Sequence, residues 1–163
     1  MTSSEEDYVH YMECIDTLNQ AWSILQDLRA TEQRNALTAA AYRFALIEYA
    51  KPYTSSDGEH RNRKKRNSYK LPPPPGLSPE DLALHQEILV LRDQALAHSD
   101  LTFKEAIIYC GRYAGQLHAG IMSNGVFAFP EIEAVIGLIE RTLPIMYVER
   151  QRRLEELGKT VSI

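Results

Sequence analysis

The residues of this sequence best suited to chemistry sit in one short run, Arg92-Asp93-Gln94-Ala95-Leu96-Ala97-His98. An imidazole such as that of His98 gives and takes a proton near neutral pH, which is what a general acid or base must do. The guanidinium of Arg92 is permanently charged and presents a planar fork that fits a phosphate. Asp93 and, from an earlier segment, Glu48 are carboxylates able to orient either group. On one continuous helix, Arg92 and His98 lie about 9 Å apart along the axis and about 120° apart around it. They act together only if the helix ends near His98 and frees its ring, or if a second subunit sets another Arg/His pair opposite the first.

Other chemistries lack their residues. There is no GxxxxGK[ST] phosphate loop, no GxSxG nucleophile turn, and no HExxH or CxxC. The five histidines, His10, His60, His85, His98 and His118, are scattered without metal-ligand spacing, so neither a metal nor another cofactor is expected. Cys14 and Cys110 each stand alone in an apolar segment and read as reduced packing residues. No run approaches about 18 uninterrupted apolar residues. The opening MTSSEEDYVHYMEC lacks the basic-then-apolar pattern of an export signal, so a cytoplasmic location is expected.

Charge is unevenly placed. The net charge is −4, and taking away the six cations of residues 61–70 leaves −10 on the remainder. Arg61, Arg63, Lys64, Lys65, Arg66 and Lys70 thus form a basic tract on an acidic body. Such a tract can grip nucleic-acid phosphates, with Tyr69 offering a ring for base stacking. The plainer alternative is a solvated loop.

The elements that must position these groups are helical. At 163 residues the chain can bury a core as a single domain, without disulfides. Tyr11, Cys14, Ile15, Leu18, Ala21, Trp22, Leu25 and Leu28 recur at helical spacing in a first helix capped by Ser3 or Ser4. A second helix is predicted from about Glu32 to Lys51. Its stripe is Leu37, Ala40, Ala41, Phe44 and Ile47, continued by Glu48. Tyr42, Ala45, Leu46 and Tyr49 make the opposite side apolar too, which predicts a central helix. Residues 53–77, ending in Pro72–Pro75, read as an exposed, mobile loop. Ser78-Pro79-Glu80-Asp81 starts a third helix that should run to about His98. Thr102 and Glu105 suit the cap of a short helix. Glycines interrupt residues 106–128, where a short helix and a β-hairpin both remain open. Pro130 opens a long last helix with Pro144 as a kink and Gly158 as a cap. The expectation is an all-α bundle of four to five helices, a long basic, Pro-rich loop between helices 2 and 3, and room for a hairpin before the last helix.

On these residues the chain resembles a known family. LRDQALAHSD resembles the signature of the HEPN superfamily of helical bundles, and the helix order over residues 10–157 looks most like its AbiU2-like branch. The family motif is Arg, a polar residue, a few further residues, then His. Arg92, Asp93 and His98 match it position by position, and Ala97 and Ser99 flank the histidine as in that branch. The resemblance implies a homodimer that pairs two motifs in one cleft and cleaves RNA without a metal. His98 would then be the general acid or base for attack of a ribose 2′-OH on the adjacent phosphate, leaving a 2′,3′-cyclic phosphate. Arg92 would hold the scissile phosphate, with Asp93 positioning Arg92 or the His98 ring. It also implies a defence or toxin–antitoxin setting, with an antitoxin or a nucleotidyltransferase as partner protein.

The same residues allow a plainer reading. His98 at a helix C-terminus can satisfy backbone carbonyls, and Arg92 can pair with Glu48 or Glu87. The chain is then a non-enzymatic dimerisation or interaction module in which Arg92 and His98 are structural.

Overall fold

Thr2, rather than Ser3 or Ser4, starts the first helix. Its hydroxyl accepts from the Glu5 N–H at 3.2 Å, and the Glu5 carboxylate accepts from the Thr2 N–H at 2.6 Å. This reciprocal box satisfies two backbone donors that a helix start leaves open. The computed structural model describes residues 2–33, 35–56, 68–93, 106–113, 116–123 and 129–161. Helix α1 spans Ser3–Ala30 and buries Tyr11, Cys14, Ile15, Leu18, Ala21, Leu25 and Leu28. Trp22 stays half-buried, and its Nε1–H donates to Glu140 at 3.0 Å.

Helix α2 spans Ala36–Ala50, starting later than Glu32 because the Asn35 side chain caps the N–H groups of Leu37 and Thr38. It buries Ala45, Leu46 and Tyr49. The other stripe, predicted to be core as well, is split: Leu37 is 77% exposed and Phe44 44%, Ala41 and Ile47 are half-buried, and Glu48 is buried. One 3-10 turn, Lys51–Tyr53, follows at Pro52.

Helix α3 spans Pro79–Leu91 and is capped by Ser78, whose hydroxyl accepts from the Asp81 N–H at 3.1 Å. Its α-helical geometry runs to Leu91, Arg92 and Asp93 continue as a wider π turn, and the expected continuation to His98 lies outside the described residues. Thr102 and Glu105 lie outside the described residues. Strands β1 (Ala106–Tyr113) and β2 (Gln116–Ser123) form an antiparallel hairpin, with Ala106 opposite Ser123 and Tyr113 opposite Gln116. Ile107, Ile108 and Tyr109 favour this extended backbone over a helix.

Helix α4 spans Ile132–Val161. Pro144, expected to kink it, lies inside without ending it. Gly158 is not a cap but an internal residue of the last turns. Helices α1, α2 and α4, with Ile88 from α3, enclose the core, where Leu18, Leu25, Leu46, Ile88, Leu138 and Ile139 are fully buried. Each such side chain contributes about 2 kcal/mol by leaving water. The fold is an all-α bundle carrying one two-stranded ribbon. Among the described residues, no helix is long and apolar enough to cross a membrane.

Candidate functional site

The segment after α2 returns on itself as a short strap. Ser56 and Tyr69 exchange backbone hydrogen bonds of 3.0 and 2.9 Å, and the Leu71 N–H donates to the Pro52 carbonyl at 2.9 Å. Extended backbone sends successive side chains to opposite sides. Tyr69 and Leu71 are buried at 7% and 9% exposure, so Lys70 between them turns outward. This part of the expected exposed loop is therefore pinned to the bundle.

Tyr69 corrects a second expectation. Its ring stacks on His10, with centroids 5.0 Å apart at 20°, and its hydroxyl accepts from Arg153 at 3.5 Å. Burial pushes its phenol well above the usual tyrosine range. The ring belongs to the core and offers no outward face for a nucleic-acid base.

Lys70 lines a cleft of about 560 Å³ with Tyr53, Thr54 and Ser55 from the same strap region. The last turns of α3 supply Gln86, Leu89 and Val90, and the π turn supplies Arg92 and Asp93. Arg92 donates from Nη1 to Asp93 Oδ1 at 2.7 Å. Its side chain is 30% exposed and that of Asp93 61%. Two cations, one carboxylate already paired with Arg92, and several neutral polar groups thus share one open site, whose net positive charge suits an anion such as a phosphate. Lys70 is the last cation of the basic tract.

Glu48 does not serve the role expected of it beside Arg92. It is 1% exposed on α2, Lys51 donates to its Oε1, and its Oε2 has no hydrogen-bond partner among the described residues. Its place on the helix interior, one turn before Lys51, explains that pairing. Arg92 pairs with its neighbour Asp93 rather than with Glu48 or Glu87.

His85 sits on α3 one residue before Gln86 and is 2% exposed. Its Nδ1 shares a 2.8 Å hydrogen bond with the Tyr49 hydroxyl, and the Tyr53 ring meets it edge-on with centroids 4.5 Å apart. Burial, reinforced by the charge of Lys70, pushes its pKa below the usual histidine range, so the ring is neutral at pH 7. The thiol of Cys14 is pushed up to about 12 by burial and is unreactive.

The structure brings Arg92, Asp93 and Lys70 together. His98, Ser99, Arg61, Arg63, Lys64, Lys65 and Arg66 lie outside the described residues. Thr54, Ser55 and Gln86 were not singled out from the sequence. Only Gln86 had a signal: with Val90 and Asp93 it follows steps of four and three, one face of α3. Among the described residues, no three His, Cys, Asp or Glu side chains are grouped to hold a metal ion. Compared with protein-family models, curated proteins and solved structures, the chain finds no match.

Proposed function

We propose that this chain is a metal-independent endoribonuclease of the HEPN type. It acts as a homodimer in a cytoplasmic defence or toxin–antitoxin setting, with an antitoxin or a nucleotidyltransferase as partner. The observation that carries this reading is the shared cleft, lined by Arg92 of the motif and by Lys70, the last cation of the basic tract. Arg92 holds the scissile phosphate, and Asp93 holds its guanidinium before RNA binds. His98 of one subunit takes the proton of the ribose 2′-OH. The 2′-oxygen bonds to phosphorus, the bond from phosphorus to the 5′-oxygen breaks, and the departing oxygen receives a proton from the second histidine of the pair. The products are a 2′,3′-cyclic phosphate and a 5′-hydroxyl end.

A second reading draws on the exposed part of the α2 stripe, where Leu37 and Phe44 are uncovered. It makes the chain an interaction module whose partner covers that face. Cleavage assays on total tRNA separate the two. The enzyme reading expects Arg92→Ala and His98→Ala to lose cleavage at unchanged melting temperature. A loss of stability with no wild-type cleavage favours the module.

A further inference from the structure

We propose that Lys70 makes the first grip on the nucleic-acid backbone, and that Asp93 occupies Arg92 until a phosphate displaces it. This rests on the reading of the cleft as an RNA site. The two cations of the cleft differ in what they already hold. Arg92 gives Nη1 to Asp93 at 2.7 Å, so an arriving phosphate competes there with a carboxylate built into the chain. Lys70 is exposed and makes no ion pair among the described residues.

Lys70 is also well mounted for the task. The Ser56–Tyr69 bridge fixes the residue before it, and the Leu71 N–H to the Pro52 carbonyl fixes the residue after it. Its two neighbours are buried, so the backbone beneath the ammonium cannot swing away. Only the lysine stem needs ordering when a phosphate binds, which keeps the entropic cost of binding low.

An ammonium reads charge rather than base identity. The ligand class is therefore a single-stranded phosphodiester backbone held without sequence preference at this point. Asp93 then lowers affinity for every anion, and a backbone already tethered on Lys70 competes with it better than a lone phosphate does.

Binding of a labelled single-stranded 2′-deoxy oligonucleotide, followed by fluorescence anisotropy across a salt series, tests this without any cleavage step. Lys70→Ala should weaken binding about 5- to 10-fold at low salt and flatten the slope of log K against log salt by about 0.7, the loss of one phosphate contact. Lys70→Arg should restore both. Asp93→Asn should tighten binding about 2- to 5-fold by freeing Arg92. Equal affinity and slope for wild type and Lys70→Ala would overturn the role of Lys70, and unchanged or weaker binding by Asp93→Asn would overturn that of Asp93. If wild type does not bind the oligonucleotide, both the inference and the RNA reading fail. Lys70-dependent binding by a protein that cleaves nothing removes only the enzyme reading.

Discussion

Arg141 on α4 donates from Nε and Nη2 to the two carboxylate oxygens of Asp81 on α3, at 2.9 and 2.5 Å. This fork ties the start of the helix that carries the cleft to the first third of α4. Hydrogen bonding from Arg141 holds the Asp81 carboxyl below the usual carboxylate range. Asp81→Asn should cost about 1 kcal/mol at pH 7, since the Arg141 end is open to solvent. A group whose folded pKa is depressed stabilises above its unfolded pKa of about 4, and loses that contribution as pH falls through the folded value. Urea unfolding at pH 7 and pH 3 should therefore show the gap between wild type and Asp81→Asn narrowing in acid.

His85 should act in the same direction at higher pH. Its folded pKa is depressed, chiefly by burial. The unfolded chain gains a proton below about pH 6.5 that the folded chain resists, so stability falls as pH drops through that value toward the folded pKa. Tyr49→Phe, which removes the hydroxyl that His85 Nδ1 bonds, should cost about 1–3 kcal/mol. Lys70→Ala removes a nearby positive charge and should raise the His85 pKa. A histidine NMR titration of that variant reads the shift, and a pKa that stays fixed or falls contradicts the arrangement.

Tyr69 should matter to the fold rather than to a base. Tyr69→Ala removes a buried ring stacked on His10 and should destabilise by about 3–5 kcal/mol. Tyr69→Phe keeps the ring and should cost far less. If Tyr69→Ala melts like wild type, the strap is not packed as described.

The buried carboxylate of Glu48 depends on Lys51. Lys51→Ala leaves that charge without its partner in the interior and should cost about 2–3 kcal/mol, more than a typical surface lysine. In a Glu48→Gln background the same substitution should cost much less. A double-mutant cycle by denaturant unfolding measures the difference, and additive losses would show that the two groups do not interact.

Much of the bundle was legible because burial and helical spacing coincide. The stripe from Tyr11 to Leu28 on α1 is the buried face, and Ser78-Pro79 starts α3 where its chemistry requires. Thr2 and Glu5 already formed the spacing of a reciprocal cap, but adjacent Ser3 and Ser4 offered the same hydroxyl. The two apolar sides of α2 could not be ranked from spacing, and the one bearing Leu37 and Phe44 turned out only partly covered. Gly158 misled because a single glycine costs a helix only about 1 kcal/mol, which flanking turns can absorb. Tyr69-Lys70-Leu71 alternates apolar, polar, apolar as a strap must, yet the surrounding charge and proline gave those residues the composition of a loop. The motif placed Arg92 and Asp93 side by side in sequence. Their meeting with Lys70 depended on the backbone bridge between Ser56 and Tyr69, which no local pattern announces.

The most direct test of the account is cleavage of mixed-sequence RNA and total tRNA by purified protein in excess EDTA, beside Arg92→Ala and His98→Ala proteins prepared identically. The account predicts cleavage by wild type alone, leaving 2′,3′-cyclic phosphate ends. No cleavage, or equal cleavage by all three proteins, would contradict it.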